Sequence, residues 1–238
     1  MTLVMADVKR RSYDASRRQQ KARANHRAML DAAVELLVTH GYAATTLALV
    51  AERAGVAAPT AYKAFGNKPA MVRAAFDYAV AGDDEPAPIH QRGRAARIKA
   101  EPDPVRKLEM YADGLLGTLT RSGLLQLVAR AAAEIDPEMK AVWEQMNSMR
   151  LFGMGILATN LSAGGHLRAG VSEGEAQDVL WTYTSPELYQ LMVVIRGWSG
   201  PRYRDWVVRS LVDALLPAHR HQSRGPRHHR GGQRGAGS

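Results

Sequence analysis

Thr46, Thr60, Tyr62, Lys63 and Lys68 place alcohol, phenol and ammonium donors within one short stretch of the chain. Such groups donate to phosphate oxygens, and contacts of that kind fix a protein's position on a duplex without reading its sequence. Ala57, Ala58 and Pro59 are short residues that let a helix backbone approach base edges. The two alanines offer only apolar contact, for example to a thymine methyl. Base readout would then fall to Thr60, Lys63 and basic residues nearer the N-terminus, with Arg10, Arg11, Arg17 and Arg18 as candidates for the minor groove.

These donors need short helices to present them, and the pattern predicts such helices. Met29, Ala33, Leu36 and Leu37 recur as an amphipathic stripe on a first helix that starts at Lys21 and stops at Gly41. Thr46 is a suitable cap for a second helix, Leu47 to Ala54. Gly55 ends that helix and Val56 is apolar in the turn. A third helix runs from Ala58 to Phe65, with Pro59 in its first turn, where a missing N–H costs nothing. Phe65 reads as core. Gly66-Asn67 breaks the chain, and Lys68 opens a fourth helix through Met71, Ala75 and Tyr78. The dipole of that helix adds positive potential beside Lys68. Two short helices joined by Gly55-Val56 have the shape of a helix-turn-helix, whose second helix enters the major groove.

The run Ala44-Thr45-Thr46, Val50-Ala51, Ala54-Gly55-Val56 and Pro59-Thr60-Ala61-Tyr62-Lys63-Ala64-Phe65-Gly66-Asn67-Lys68 resembles the DNA-binding domain of tetracycline-repressor-like (TetR family) regulators. The lead-in Met29-Leu30-Asp31-Ala32-Ala33, Leu36 and Gly41-Tyr42 is similar to that family's first helix. The resemblance spans residues 23–83. It implies that Thr46, Tyr62 and Lys68 sit at phosphate-contacting positions, and that Pro59, Thr60 and Lys63 lie on the groove-facing helix beside Ala57. The chain departs from the family at Ala57 and Ala58, where polar residues are frequent.

Charge placement agrees with a polyanion partner. Residues 1–30 carry eight Lys or Arg against two Asp, and residues 217–238 carry five Arg and no acid, within a net charge of +9. The body between them is nearly neutral. Residues 1–20 read as a basic disordered arm, 21–82 as the helix-turn-helix domain, and 218–238 as a disordered Arg/Gly/His tail. A polar, Pro-containing stretch at 82–92 marks the boundary to a second domain, 93–217.

That second part also reads as helical, so the expected fold is all-α. The segments are Val105–Thr120, Leu124–Ile135 after Gly123, a long helix from Pro137 to Gly164, a helix capped by Ser172 and Glu175, Glu187–Trp198, and Arg202–Leu216. The resemblance implies that this part binds a small molecule and forms a two-fold dimer, with the dimer surface on the last two helices, Glu173–Trp198 and Arg202–Leu216. Large apolar residues suited to lining a ligand pocket are Met110, Leu115, Trp143, Met146, Met149, Phe152, Trp181 and Tyr189.

Other chemistries lack their residues. The absence of cysteine excludes disulfides, thiolate metal sites and cysteine nucleophiles. No G-x-S-x-G, H-E-x-x-H or Walker lysine loop occurs, so no catalytic residue, metal site or cofactor is expected. No apolar run is long enough for a bilayer, and a cytoplasmic protein is expected. The expectation is a transcriptional regulator that binds a pseudo-palindromic DNA operator as a dimer. It would be a repressor released by a small, apolar molecule. Two rivals stand beside it: a non-specific architectural DNA-binding protein, and a helical small-molecule-binding protein without DNA binding.

Overall fold

The computed structural model describes residues 2–82 and 93–218, with side chains from Arg17 onward. Among these residues the fold is all-α and contains no strand. Linker residues 83–92 and tail residues 219–238 lie outside the described residues, as do the side chains of Arg10 and Arg11.

Helix α1 spans Thr2–Ala44 with a break in helical geometry at Gly41, whose φ of 77° and ψ of 176° suit glycine. The helix starts well before the expected Lys21, so residues 2–20 continue it and form no separate arm. Residues 2–40 contain neither glycine nor proline and are rich in Arg and Ala, both good helix formers. Helix α2 (Leu47–Arg53) is capped by Thr46, whose hydroxyl oxygen accepts the Leu49 N–H at 3.1 Å. Gly55 makes the turn with a φ of 68°. Helix α3 (Ala58–Phe65) follows, then α4 (Lys68–Ala81), capped by Asn67 through the Ala70 N–H at 2.9 Å.

The remainder comprises α5 (Gly93–Ala100), α6 (Pro104–Ala133), α7 (Pro137–Ala163), α8 (Glu173–Tyr183), α9 (Pro186–Tyr189), a π-helical turn over Gln190–Ile195, and α10 (Gly200–Leu215). Helix α5 was not expected. Helix α6 runs unbroken through Gly123, where two segments were expected. A Cβ there would lie 3.4 Å from the Tyr189 ring, so the glycine serves close helix approach and not a turn. Among the described residues no helix is long and apolar enough to cross a membrane.

Two hydrophobic cores form, and they do not divide at the linker. The first joins Met29, Leu37, Val50, Phe65 and Met71 of the N-terminal helices to Leu125 and Ala129 of α6 and to Met139 and Met146 of α7. The second lies between the start of α6, the end of α7, and α8 to α10, around Leu108, Leu161, Leu180, Tyr203 and Leu211. Arg121 on α6 adds a polar tie. Its Nε donates to the Ala79 carbonyl at 2.9 Å, satisfying an acceptor near the end of α4.

Candidate nucleic-acid interface and effector domain

Helix α3 has two faces. Ala61 and Phe65 are buried against α1 and α2, while Pro59, Thr60, Tyr62, Lys63 and Ala64 are exposed, together with Ala57 at its N-cap. The burial of Phe65 is as expected, and its ring also stands 5.5 Å from that of His26. Tyr62 is 52% exposed, so its phenol is not a packing aromatic. Thr46 is exposed at the start of α2. Because its oxygen accepts the cap hydrogen bond, its own O–H remains to be donated outward. Thr46, Ala57, Pro59, Thr60, Tyr62 and Lys63 are therefore all solvent-facing on the helix-turn-helix.

Lys68 is held differently. Its ammonium donates to the Ala43 carbonyl at 3.2 Å and lies 4.1 Å from the centre of the Tyr42 ring. Desolvation lowers its pKa, opposed by the charge of Asp136. One of its three N–H donors closes the corner between α1 and α4, leaving two for an external acceptor. Arg17 and Arg18 are exposed on α1.

Tyr42 and Asn67 are residues that sequence reasoning missed. The Tyr42 hydroxyl donates to the Asp136 carboxylate, and the Asn67 side-chain amide donates to Glu138 at 3.1 Å. Both join the helix-turn-helix to the start of α7. Burial raises the Tyr42 pKa first, reinforced by its hydrogen bond to Asp136. Asn67 had a local signal, since Asn followed by a helix with Pro at its start is a cap pattern. Tyr42 had none, because its partner is 94 positions away.

The expected pocket residues separate. Trp143 and Met146 belong to the first core, against the N-terminal helices. Leu115, Trp181 and Tyr189 belong to the second. Met110 is half-buried. Met149 and Phe152 are 54% and 62% exposed on α7, so they line no interior. Their size reads as core in a sequence, but their helical phase turns them outward. Met149 sulfur instead accepts from Arg73 of α4 at 3.0 Å.

Of the two segments expected to carry the dimer surface, Glu173–Trp198 has exposed apolar residues and α10 turns its own inward. Tyr203, Val207, Leu211 and Leu215 of α10 point inward, which leaves Arg202, Asp205, Arg209 and Asp213 on its outer face. That face is charged, not apolar. Exposed large apolar residues occur at Leu191, Val194 and Ile195 of the π-helical turn and at Met149 and Ile156 of α7.

The fold and the outward face of α3 define a helix-turn-helix protein, and comparison with known proteins agrees. Residues 29–75 match the family described as bacterial regulatory proteins, tetR family. The chain is 29% identical over 194 residues to the uncharacterized HTH-type transcriptional regulator YdeS of Bacillus subtilis, covering 79% of this chain and 85% of the relative. It is 48% identical over 50 residues to the HTH-type transcriptional repressor ComR of Escherichia coli, covering 21% and 24%. Among solved structures, NalD of Pseudomonas aeruginosa, the secondary repressor of the MexAB-OprM multidrug efflux pump, superposes with a TM-score of 0.64. It has 18% identity and coverage of 84% of this chain and 99% of that one. FadR of Bacillus subtilis in complex with stearoyl-CoA gives 0.63, with 19% identity and coverage of 79% and 97%. At those identities the structures establish the shared fold. Residues 29–75 are thus similar to the helix-turn-helix of tetR-family regulators, and the fold as a whole is the one shared with the solved structures.

Proposed function

We propose that the chain is a ligand-responsive repressor that binds a pseudo-palindromic operator as a homodimer and is released by a small molecule with an apolar body. The observation that carries this reading is the outward face of α3, with Ala57, Pro59, Thr60, Tyr62 and Lys63 exposed beside a capped α2. Thr46, Tyr62 and Lys68 hold phosphates, and Pro59, Thr60 and Lys63 face the groove with Ala57. Arg10, Arg11, Arg17 and Arg18 are the candidates for the minor groove. A second copy docks on the exposed apolar residues of α7 and the π-helical turn, and the half-sites lie about one helical turn or a multiple apart.

Release works by linkage. An effector bound in the helical domain favours a state in which the two α3 helices no longer match the half-site spacing. Operator binding then weakens effector binding by the same factor. Regulation, not catalysis, is the function of the chain, and its place is the cytoplasm. A precedent for effector binding on this fold is FadR, solved with stearoyl-CoA.

The exposed Arg17 and Arg18, with Lys21 and Arg23 following on α1, favour a second reading as a non-specific architectural protein. Selection of bound sequences from a random DNA pool at physiological salt separates the two. A two-fold-symmetric enriched site supports the repressor. Tight, salt-sensitive binding without enrichment supports the architectural reading.

A further inference from the structure

The second core contains hydrogen-bond donors that nothing within the described chain accepts. The Tyr203 hydroxyl and the Trp181 indole Nε1 are both buried without a partner. Tyr203 is 1% exposed, in the middle of the cluster formed by α6, α7, α8 and α10. A buried polar group without a partner costs about 1–3 kcal/mol, so such groups call for an explanation.

Beside Trp181 stands Arg150 of α7. Its guanidinium lies 4.6 Å from the Trp181 ring centre and donates to the Trp181 carbonyl at 2.6 Å. No carboxylate among the described residues pairs with it. Glu187 is within electrostatic reach, but its carboxylate is taken by Arg130 at 2.8 Å. Desolvation lowers the Arg150 pKa, the direction expected of a cation drawn into an apolar surrounding.

Tyr111 of α6 packs against the same core. Its hydroxyl donates to the Met154 sulfur at 3.2 Å, a poor acceptor. The neighbouring Thr184 hydroxyl approaches the same sulfur at 3.5 Å but is committed to the Leu180 carbonyl at 2.6 Å. Met154 is a flexible side chain filling a polar seam, and it can be displaced by a better acceptor. The seam thus has a buried indole N–H without a partner and a cation without a paired carboxylate.

We propose that this seam is the effector site and that the effector carries a carboxylate on an apolar body, held by the Arg150 guanidinium and the Trp181 N–H. The proposal rests on the effector-sensing reading above and deepens it. A carboxylate supplies the missing negative charge and acceptors together, and planar bidentate recognition suits an arginine. The second core supplies the surroundings for the apolar body.

The test uses the full chain and two matched probe pairs, octanoate with octanol and phenylacetate with phenylethanol, followed by tryptophan fluorescence and thermal shift. The carboxylate of at least one pair is expected to bind saturably, about tenfold tighter than its alcohol. Arg150→Gln should erase that preference, bringing the affinity for the acid down to that for the alcohol. Trp181→Phe keeps the ring under Arg150 and removes the N–H, so it should weaken carboxylate binding several-fold even if the arginine variant fails to fold. Equal binding of acid and alcohol, or a preference that survives both variants, overturns the carboxylate assignment and leaves the sensor reading standing. Binding of none of the four, with no effect of any on operator binding, overturns the assignment and counts against the sensor reading too.

Discussion

The Tyr42 hydroxyl at the end of α1 donates a 2.5 Å hydrogen bond to the Asp136 carboxylate, the residue that caps α7. Asp136 also accepts the N–H groups of Glu138 and Met139. One carboxylate therefore starts a helix of the C-terminal part and anchors the helix-turn-helix. Lys68 stacks on the other side of the link, over the Tyr42 ring. Movement of α7 along its axis would disturb both at once.

Tyr42→Phe should lower the thermal midpoint by a few degrees without changing secondary structure, as measured by circular dichroism. The effect should depend on pH. The Tyr42 hydrogen bond is the largest cause holding the Asp136 carboxyl below its usual range. A lowered carboxylate pKa contributes stability that is present above the ordinary Asp value, near pH 4, and lost as pH falls through the native one. Tyr42 is shifted upward, so its contribution is full below about pH 10 and lost as pH rises through the native value. The gap between wild type and Tyr42→Phe should be flat from about pH 5 to pH 9 and close at either end. A gap that persists into acid would show that Asp136 is not its source.

Met146→Ala should cost about 2–5 kcal/mol in denaturant unfolding, since Met146 is 2% exposed in the core shared by α7 and the N-terminal helices. Met149→Ala, one turn on and exposed, should cost far less. Equal losses would contradict the outward phase of Met149.

On DNA, Tyr62→Phe should weaken binding by about 1 kcal/mol on every sequence. Lys63→Ala should do more: a phosphate role would lower the salt slope by about one, and a base role would relax preference at one position. Binding measured across a salt series on the selected site and on random DNA distinguishes the two. Loss of sequence preference in Tyr62→Phe would move Tyr62 from the phosphates to the bases.

Tyr203→Phe should raise stability of the unliganded chain by about 1 kcal/mol, because it deletes a buried hydroxyl that has no partner and keeps the ring packing. A loss of that size in denaturant unfolding would reveal an acceptor for the hydroxyl.

Local signals carried much of this structure. The Thr46 cap, the Gly55 turn, Pro59 at the start of α3 and the Ser172 cap each involve residues within a few positions of one another, and a reader of the sequence finds them directly. Trp143 and Met146, expected to line a pocket, lie in the first core, because periodicity fixes a face and not the neighbour that covers it. Met149 and Phe152 were misread for the same reason: a large apolar residue on the outer phase looks like one on the inner. Arg150 and Tyr203 went unnoticed because nothing in either residue's neighbours in sequence tells that its polar group ends up among apolar side chains.

The shared core bears on how such a protein can be recombined. Leu125, Ala129, Met139 and Met146 pack against the DNA-binding helices, although they follow the linker in sequence. A graft that swaps the C-terminal part by cutting near Gly82 strips those side chains away and leaves a sticky surface on the helix-turn-helix half. A working chimera has to carry the end of α6 and the start of α7 across the junction, so the unit of exchange is discontinuous in the chain.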